Sequence, residues 1–148
     1  MYHMKHIDPG RHMPKPRAAP IPVDLSSPEA GMAALRTFFN VAAAWKLGPG
    51  AQMAILGLRS RSTFNRWKQG EGVALSPDTA ERLSYVFGIY KALRVLLPDP
   101  KAADQWIHRP NDAPLFGGRP AIERLAAGHV ADLYQVRQYL DAQRGGWN

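Results

Sequence analysis

One helix-opening signal occurs twice in this chain, as Ser27-Pro28-Glu29 and as Ser76-Pro77-Asp78. In each, a serine can cap the first turn, and a proline takes the first helical position, where its missing N–H costs nothing. Behind the first signal, Leu35, Phe38, Phe39, Ala42 and Trp45 recur at helical spacing, and Gly48-Pro49-Gly50 reads as the stop. Behind the second, a long helix runs to about Leu97, where Pro98 and Pro100 end it. Leu83, Val86, Phe87, Tyr90, Leu93 and Leu97 make one apolar stripe on it, and Tyr85, Ile89, Ala92 and Leu96 make a second. A helix apolar on two faces must be covered on both. It is therefore expected to be shared by two halves of an all-α fold and to lend part of its surface to a dimer seam.

Between these helices lies a shorter pair. Ala51 to Leu56 reads as an apolar helix closed by Gly57, a residue able to take the positive φ of a sharp turn. Ser60 can then cap a helix whose inner face is Phe64 and Trp67. The rest of the segment carries Arg59, Arg61, Ser62, Thr63, Asn65, Arg66, Lys68 and Gln69, and Leu58 to Gly70 holds four basic residues and no acid. Two helices about a glycine turn, the second anchored on one side and rich in Arg, Asn, Gln and Ser on the other, form a helix-turn-helix. Arg reads guanine and Asn or Gln reads adenine through paired hydrogen bonds, while Ser and Lys hold phosphates. A basic helix that merely faces solvent would have the same composition, so contact with DNA is an expectation here.

The last third reads as three short helices, Lys101 to His108, Pro120 to Ala127, and His129 or Val130 to about Gln143. Arg109-Pro110-Asn111, Phe116-Gly117-Gly118-Arg119-Pro120 and Gly128 separate them. Charge divides along the same line. Met1 to Pro22 has four basic residues to one acidic, Val23 to Pro98 nine to five, and Asp99 to Asn148 six to six. The net +7 of the 148 residues thus lies wholly in the first two thirds, where it suits a phosphate backbone, and the neutral third suits a protein partner. Residues 1–25, with five prolines and no apolar periodicity, read as a disordered basic tail, 26–98 as the helix-turn-helix region, and 99–148 as a separate helical unit.

Enzymatic chemistry finds little support. Cysteine is absent, no serine has a histidine with an orienting acid, and His108 and His129 belong to different elements. Asp99 and Asp104 read as carboxylates at helix ends, where capping is the ordinary role. Gly117-Gly118-Arg119 has only a fragment of a phosphate-loop pattern, and His3, His6 and His12 lack the acidic or cysteine partners of a metal site. Neither cofactor nor metal is expected. With no apolar run long enough for a membrane span and no leader-like start, a cytoplasmic protein is expected.

The run Trp106, Arg109-Pro110-Asn111, Leu115, Gly117-Gly118, Pro120, Leu125, Gly128, Val130, Leu133 and Leu140 resembles the toxin-binding domain of Xre/MbcA/ParS antitoxins. Ile55-Leu56-Gly57-Leu58 with Ser60 to Trp67, then Glu81-Arg82-Leu83 and Ile89-Tyr90, is similar to the helix-turn-helix half of the same family, so the likeness covers residues 28 to about 145. One departure is the loop Phe116-Gly117-Gly118-Arg119, which has two glycines where the family usually has one. The resemblance implies an antitoxin whose C-terminal unit blocks the NAD pocket of a RES-domain toxin, an enzyme that consumes NAD or transfers ADP-ribose from it. It also implies a complex that represses its own promoter. Exposed groups near the chain end, Arg119, Arg137, Asp141, Arg144, Trp147 and Asn148, are the expected toxin contacts. The competing reading is a free-standing helix-turn-helix regulator without a toxin.

Overall fold

A proline sits in the first turn of four helices in the computed structural model, which describes residues 25–71 and 74–145. Among those residues are α1 (Pro28–Ala44), α2 (Pro49–Leu56), α3 (Arg61–Lys68), α4 (Pro77–Leu96), α5 (Pro100–Gln105), α6 (Ala121–Leu125) and α7 (Val130–Arg144). A 3-10 turn, Trp106–His108, extends α5. The fold is all-α: a helix-turn-helix followed by a small helical unit, both built on α4. The expected basic tail, with His3, His6 and His12, lies outside the described residues, as do Trp147 and Asn148. Leu25, assigned from sequence to the tail, belongs to the fold: its carbonyl accepts from Leu75 N–H at 3.3 Å, and its side chain packs against the core.

Both repeated signals act as caps. Ser27 Oγ accepts from Ala30 N–H at 3.2 Å and Ser76 Oγ from Thr79 N–H at 3.1 Å, each satisfying an amide that has no partner within the helix. Gly48-Pro49-Gly50 does not stop α1. The chain leaves α1 at Trp45, turns through Lys46 in the left-handed region at φ 55°, and uses Pro49 to open α2. A proline that forbids continuation of one helix is equally suited to the first position of the next.

The α4 helix is the hub. It contacts α1, α2, α5 and, most extensively, α7. Leu83, Val86, Ile89, Ala92 and Leu93 are all buried, so residues of both apolar stripes are covered within one chain. The doubly apolar character of this helix was the ground for expecting a dimer seam; α7 covers part of it, while Phe87, Tyr90, Leu96 and Leu97 stay half-buried. Leu133, Val136 and Leu140 are the buried side of α7. One continuous core runs from Leu35 and Phe38 through Trp45, Ile55 and Phe64 to Ile107, Leu125 and Leu140. Two further ties join the halves: His108 Nε2 hydrogen-bonds the Trp45 carbonyl at 2.6 Å, and α2 touches α6. Among the described residues no helix is long and apolar enough to cross a membrane.

Candidate functional site

The helix pair α2 and α3 is set by its turn. Gly57 caps α2 at φ 74°, and Leu58 N–H returns to the Met53 carbonyl at 2.9 Å, the left-handed ending that glycine accepts without steric cost. The last carbonyls of α2 still have room for donors from outside the helix, although Ala54 O already accepts from Gly57 N–H at 3.0 Å. Arg82, reaching across from α4, supplies them: Nη1 donates to Ala54 O at 3.2 Å and Ile55 O at 3.3 Å, while Nε donates to Asp78 Oδ2 at 2.9 Å. Its side chain is only 11% exposed, so the charge is held by hydrogen bonds on both sides. A Cβ at Gly57 would come within 2.8 Å of that guanidinium. Sequence reading did not single out Arg82 for this role. The available signal was an arginine beside Leu83 on the inward stripe of α4, a position that requires partners.

Capping and packing orient α3. Ser60 Oγ accepts from Thr63 N–H at 3.2 Å, and Phe64 is fully buried, edge-on to Phe39 of α1 at 5.9 Å between ring centroids. With Phe64 and Trp67 turned inward, Arg61, Asn65 and Gln69 fall on one outward stripe at four-residue spacing, and Ser62 and Arg66 lie beside it. Arg59, Arg61, Ser62, Asn65, Arg66, Lys68 and Gln69 are all exposed. Thr63 is the exception among the eight expected contacts. It is half-buried, and its hydroxyl accepts from Arg66 Nη2 at 3.3 Å. Lys68 Nζ lies 5.8 Å from the centre of the Phe64 ring, so its stem runs over the anchor while its charge stays at the surface. The arrangement presents forked donors and amides on a surface without a carboxylate between Leu58 and Gly70, which is the chemistry of a nucleic-acid reader.

The second unit is organised by the Asn111–Pro120 loop. Asn111 Oδ1 accepts from Ala113 N–H at 2.9 Å, Gly118 N–H donates back to Asn111 O at 2.8 Å, and Pro110 and Pro120 form an isolated bridge at the loop's mouth. Gly117 and Gly118 both have positive φ, 58° and 86°, so the doubled glycine serves a tight reversal. The amides of Gly117, Gly118 and Arg119 are all spent on carbonyls of the same loop, which leaves no cradle for a phosphate. Trp106, Phe116 and Tyr139 stack and meet edge-on beneath it. Arg124 pins the loop to α7, donating to Leu115 O at 3.4 Å and to the Gln135 side chain, and pairing with Asp132 at 2.9 Å.

The expected toxin contacts fall into separate places. Arg119 lines a cleft of about 300 Å³ with Leu115, Phe116, Glu123 and Arg124, and its exposed side chain pairs with Glu123 at 2.5 Å. Arg137 and Asp141 line another, of about 270 Å³, with Tyr85, Tyr134 and Gln138 between α4 and α7. Arg137 is partly committed to the fold: Nη1 donates to Ser84 O at 3.1 Å, Nε pairs with Asp141 at 3.4 Å, and the side chain lies over Gly88. Beside it Tyr85 donates to Glu81 Oε2 at 2.7 Å, and that bond to a carboxylate, with some burial, raises the phenol above its ordinary pKa. Arg144 is exposed in the last turn of α7. Of the two carboxylates read as helix-end residues, Asp99 caps α5, accepting from Lys101 and Ala102 N–H. Asp104 instead accepts from Arg94 Nη2 with both of its carboxylate oxygens, each at 2.9 Å, and so ties α5 to α4. Among the described residues no cluster of three His, Asp or Glu could hold a metal.

Residues 24–88 match the family model of the antitoxin Xre-like helix-turn-helix domain, and residues 92–146 match that of the antitoxin Xre/MbcA/ParS C-terminal toxin-binding domain. The chain is also 47% identical over 129 residues to the uncharacterized protein y4oB of Sinorhizobium fredii (strain NBRC 101917 / NGR234), an alignment covering 84% of this chain and 98% of that protein.

Proposed function

The chain belongs to the Xre/MbcA/ParS antitoxin family, and on that premise we propose that it silences a RES-domain toxin by blocking its NAD pocket and represses its own operon. Its helix-turn-helix domain and its toxin-binding domain are the two working parts. The observation that carries the proposal is a division of surface on a single core. The outward face of α3 is basic and free of acid, whereas the C-terminal third has as many acidic as basic residues and two open clefts. Counterion release favours the first surface for DNA, and a mixed surface with anchoring arginines favours the second for a protein. In this reading Arg119 and the end of α7, with Arg137, Asp141, Arg144, Trp147 and Asn148, face the toxin. Two copies place their α3 helices on matched half-sites of the operator, in the cytoplasm where NAD and operator are both found.

The test is to induce the neighbouring reading frame in a bacterial host with and without this chain, following growth and intracellular NAD. Arrest with NAD loss, relieved by co-expression, is expected. Arg61→Ala, Asn65→Ala and Arg66→Ala should each weaken operator binding by about 1–3 kcal/mol where a base contact is lost and leave the relief of arrest intact. If the neighbour causes no arrest, a regulator without a toxin becomes the better account. If the α3 variants abolish neutralisation but leave operator binding untouched, the division of labour is wrong.

A further inference from the structure

We propose that Arg82 is the positioning residue of the DNA-reading unit: its guanidinium, buried between α4 and the end of α2, sets the angle at which α3 is presented to the groove. The inference rests on the DNA reading above and adds to it a residue that touches no nucleic acid. α3 has eight residues, too short to hold its own geometry, since isolated helices below about 12 residues are marginal in water. Its pose is therefore inherited from what it is tied to. On one side that is Phe64 against α1. On the other it is the Gly57 turn, whose carbonyl neighbours Ala54 and Ile55 are gripped by Arg82.

The grip has a defined shape. Three bonds run from one planar guanidinium in two directions, toward Asp78 on its own helix and toward the two carbonyls of α2. Gly57, with no side chain, lets the plane lie against the turn at a distance that a Cβ would violate. A lysine carries the same charge on a similar stem, but its single ammonium cannot present a fork, so the charge is kept and the geometry is lost. Ile55 O then loses its donor and Ala54 O keeps only the bond from Gly57 N–H, so the tie between the turn and α4 is loosened. Because base-edge contacts demand registry and phosphate contacts tolerate its loss, misplacement of α3 should remove discrimination between sequences and leave general attraction to DNA.

The experiment uses the full chain and two duplexes, one taken from immediately upstream of its own reading frame and one with the same bases shuffled. For Arg82→Lys, affinity for the upstream duplex is expected to fall about tenfold or more, while affinity for the shuffled duplex stays within about twofold, since most nonspecific binding is electrostatic. Gly57→Ala reaches the same contact from the other element, and the same loss of preference is expected. Hydrogen exchange should quicken for amides of the turn and α3 but not for those of α7, which separates loss of pose from loss of fold. A purely structural role would lower both affinities together and quicken exchange throughout, and that result overturns the proposal. So does an Arg82→Lys chain that keeps full preference for the upstream duplex while Asn65→Ala loses it. A wild-type chain with no preference at all overturns the DNA reading and this inference with it.

Discussion

Gly57 and Gly88 each lie against an arginine guanidinium, yet a methyl group at the two positions has different consequences. At Gly57 the backbone is left-handed and the facing Arg82 is held by bonds in two directions, so neither backbone nor neighbour can yield without loss. Gly88 is an ordinary helical position within α4, and a Cβ there would meet Arg137 Nε, Cζ and Cδ at 2.3–2.6 Å. The Arg137 side chain, about a third exposed, can swing into solvent. Alanine improves on glycine in a helix interior by about 1 kcal/mol, whereas the displaced arginine gives up its bond to Ser84 O, which contributes about the same, and its long, solvent-exposed pairing of Nε with Asp141, which contributes little. Gly88→Ala should thus leave the thermal midpoint nearly unchanged while releasing Arg137, seen as a shift and sharpening of its Nε–H resonance. A loss of more than about 2 kcal/mol would mean that Arg137 cannot move and that the α4–α7 seam is tighter than its exposure suggests.

The shortest elements depend most on their ends. Ser60 closes the first turn of α3 with one bond to Thr63 N–H and has a second contact to Ser62 Oγ at 3.0 Å. Ser60→Ala should lower stability by about 0.5–2 kcal/mol, read as a lower denaturant midpoint with unchanged slope. No change would show that solvent satisfies the amide as well as the serine does. Caps of this kind are the features that sequence reveals best, because cap and amide lie three residues apart: Ser27, Ser60 and Ser76 were all legible, as was Gly57 at the turn. Features that depend on distant chain were not. Pro49 opens a helix instead of ending one because the break had already occurred at Lys46, whose left-handed backbone leaves no mark in composition. The second stripe of α4 was legible as apolar, but which surface covers it, α7 of the same chain or another copy, is a tertiary matter. The outward face of α3 could be read from spacing alone, apart from half-buried Thr63. Arg82 could not, since its partners are 27 and 28 residues away, and the same holds for the separation of Arg119 from Arg137 into different clefts.

At the scale of the molecule, two surfaces with different partners share a core that has no internal boundary. α4 is packed by α1 and α2 on behalf of the DNA-reading unit and by α5 and α7 on behalf of the other, and the His108 bond to Trp45 O closes the gap between them. Separated from α4, residues 99–145 would expose Leu133, Val136 and Leu140, and a unit of about that size rarely folds without a staple. The whole chain should therefore unfold in one transition, with far-UV circular dichroism and tryptophan fluorescence coinciding. Tryptophans in both halves, Trp45 and Trp67 in one and Trp106 in the other, make fluorescence sensitive to any uncoupling. Surface and core substitutions then act differently. Asn65→Ala, on the exposed face of α3, is expected to alter the proposed DNA contact alone, but Leu93→Ala, in the fully buried middle of α4, should cost about 2–5 kcal/mol and weaken operator binding and toxin neutralisation in parallel as the folded fraction falls. Two resolved transitions, or a Leu93→Ala chain that loses one activity at full strength of the other, would show that the halves fold independently and that α4 serves them in turn.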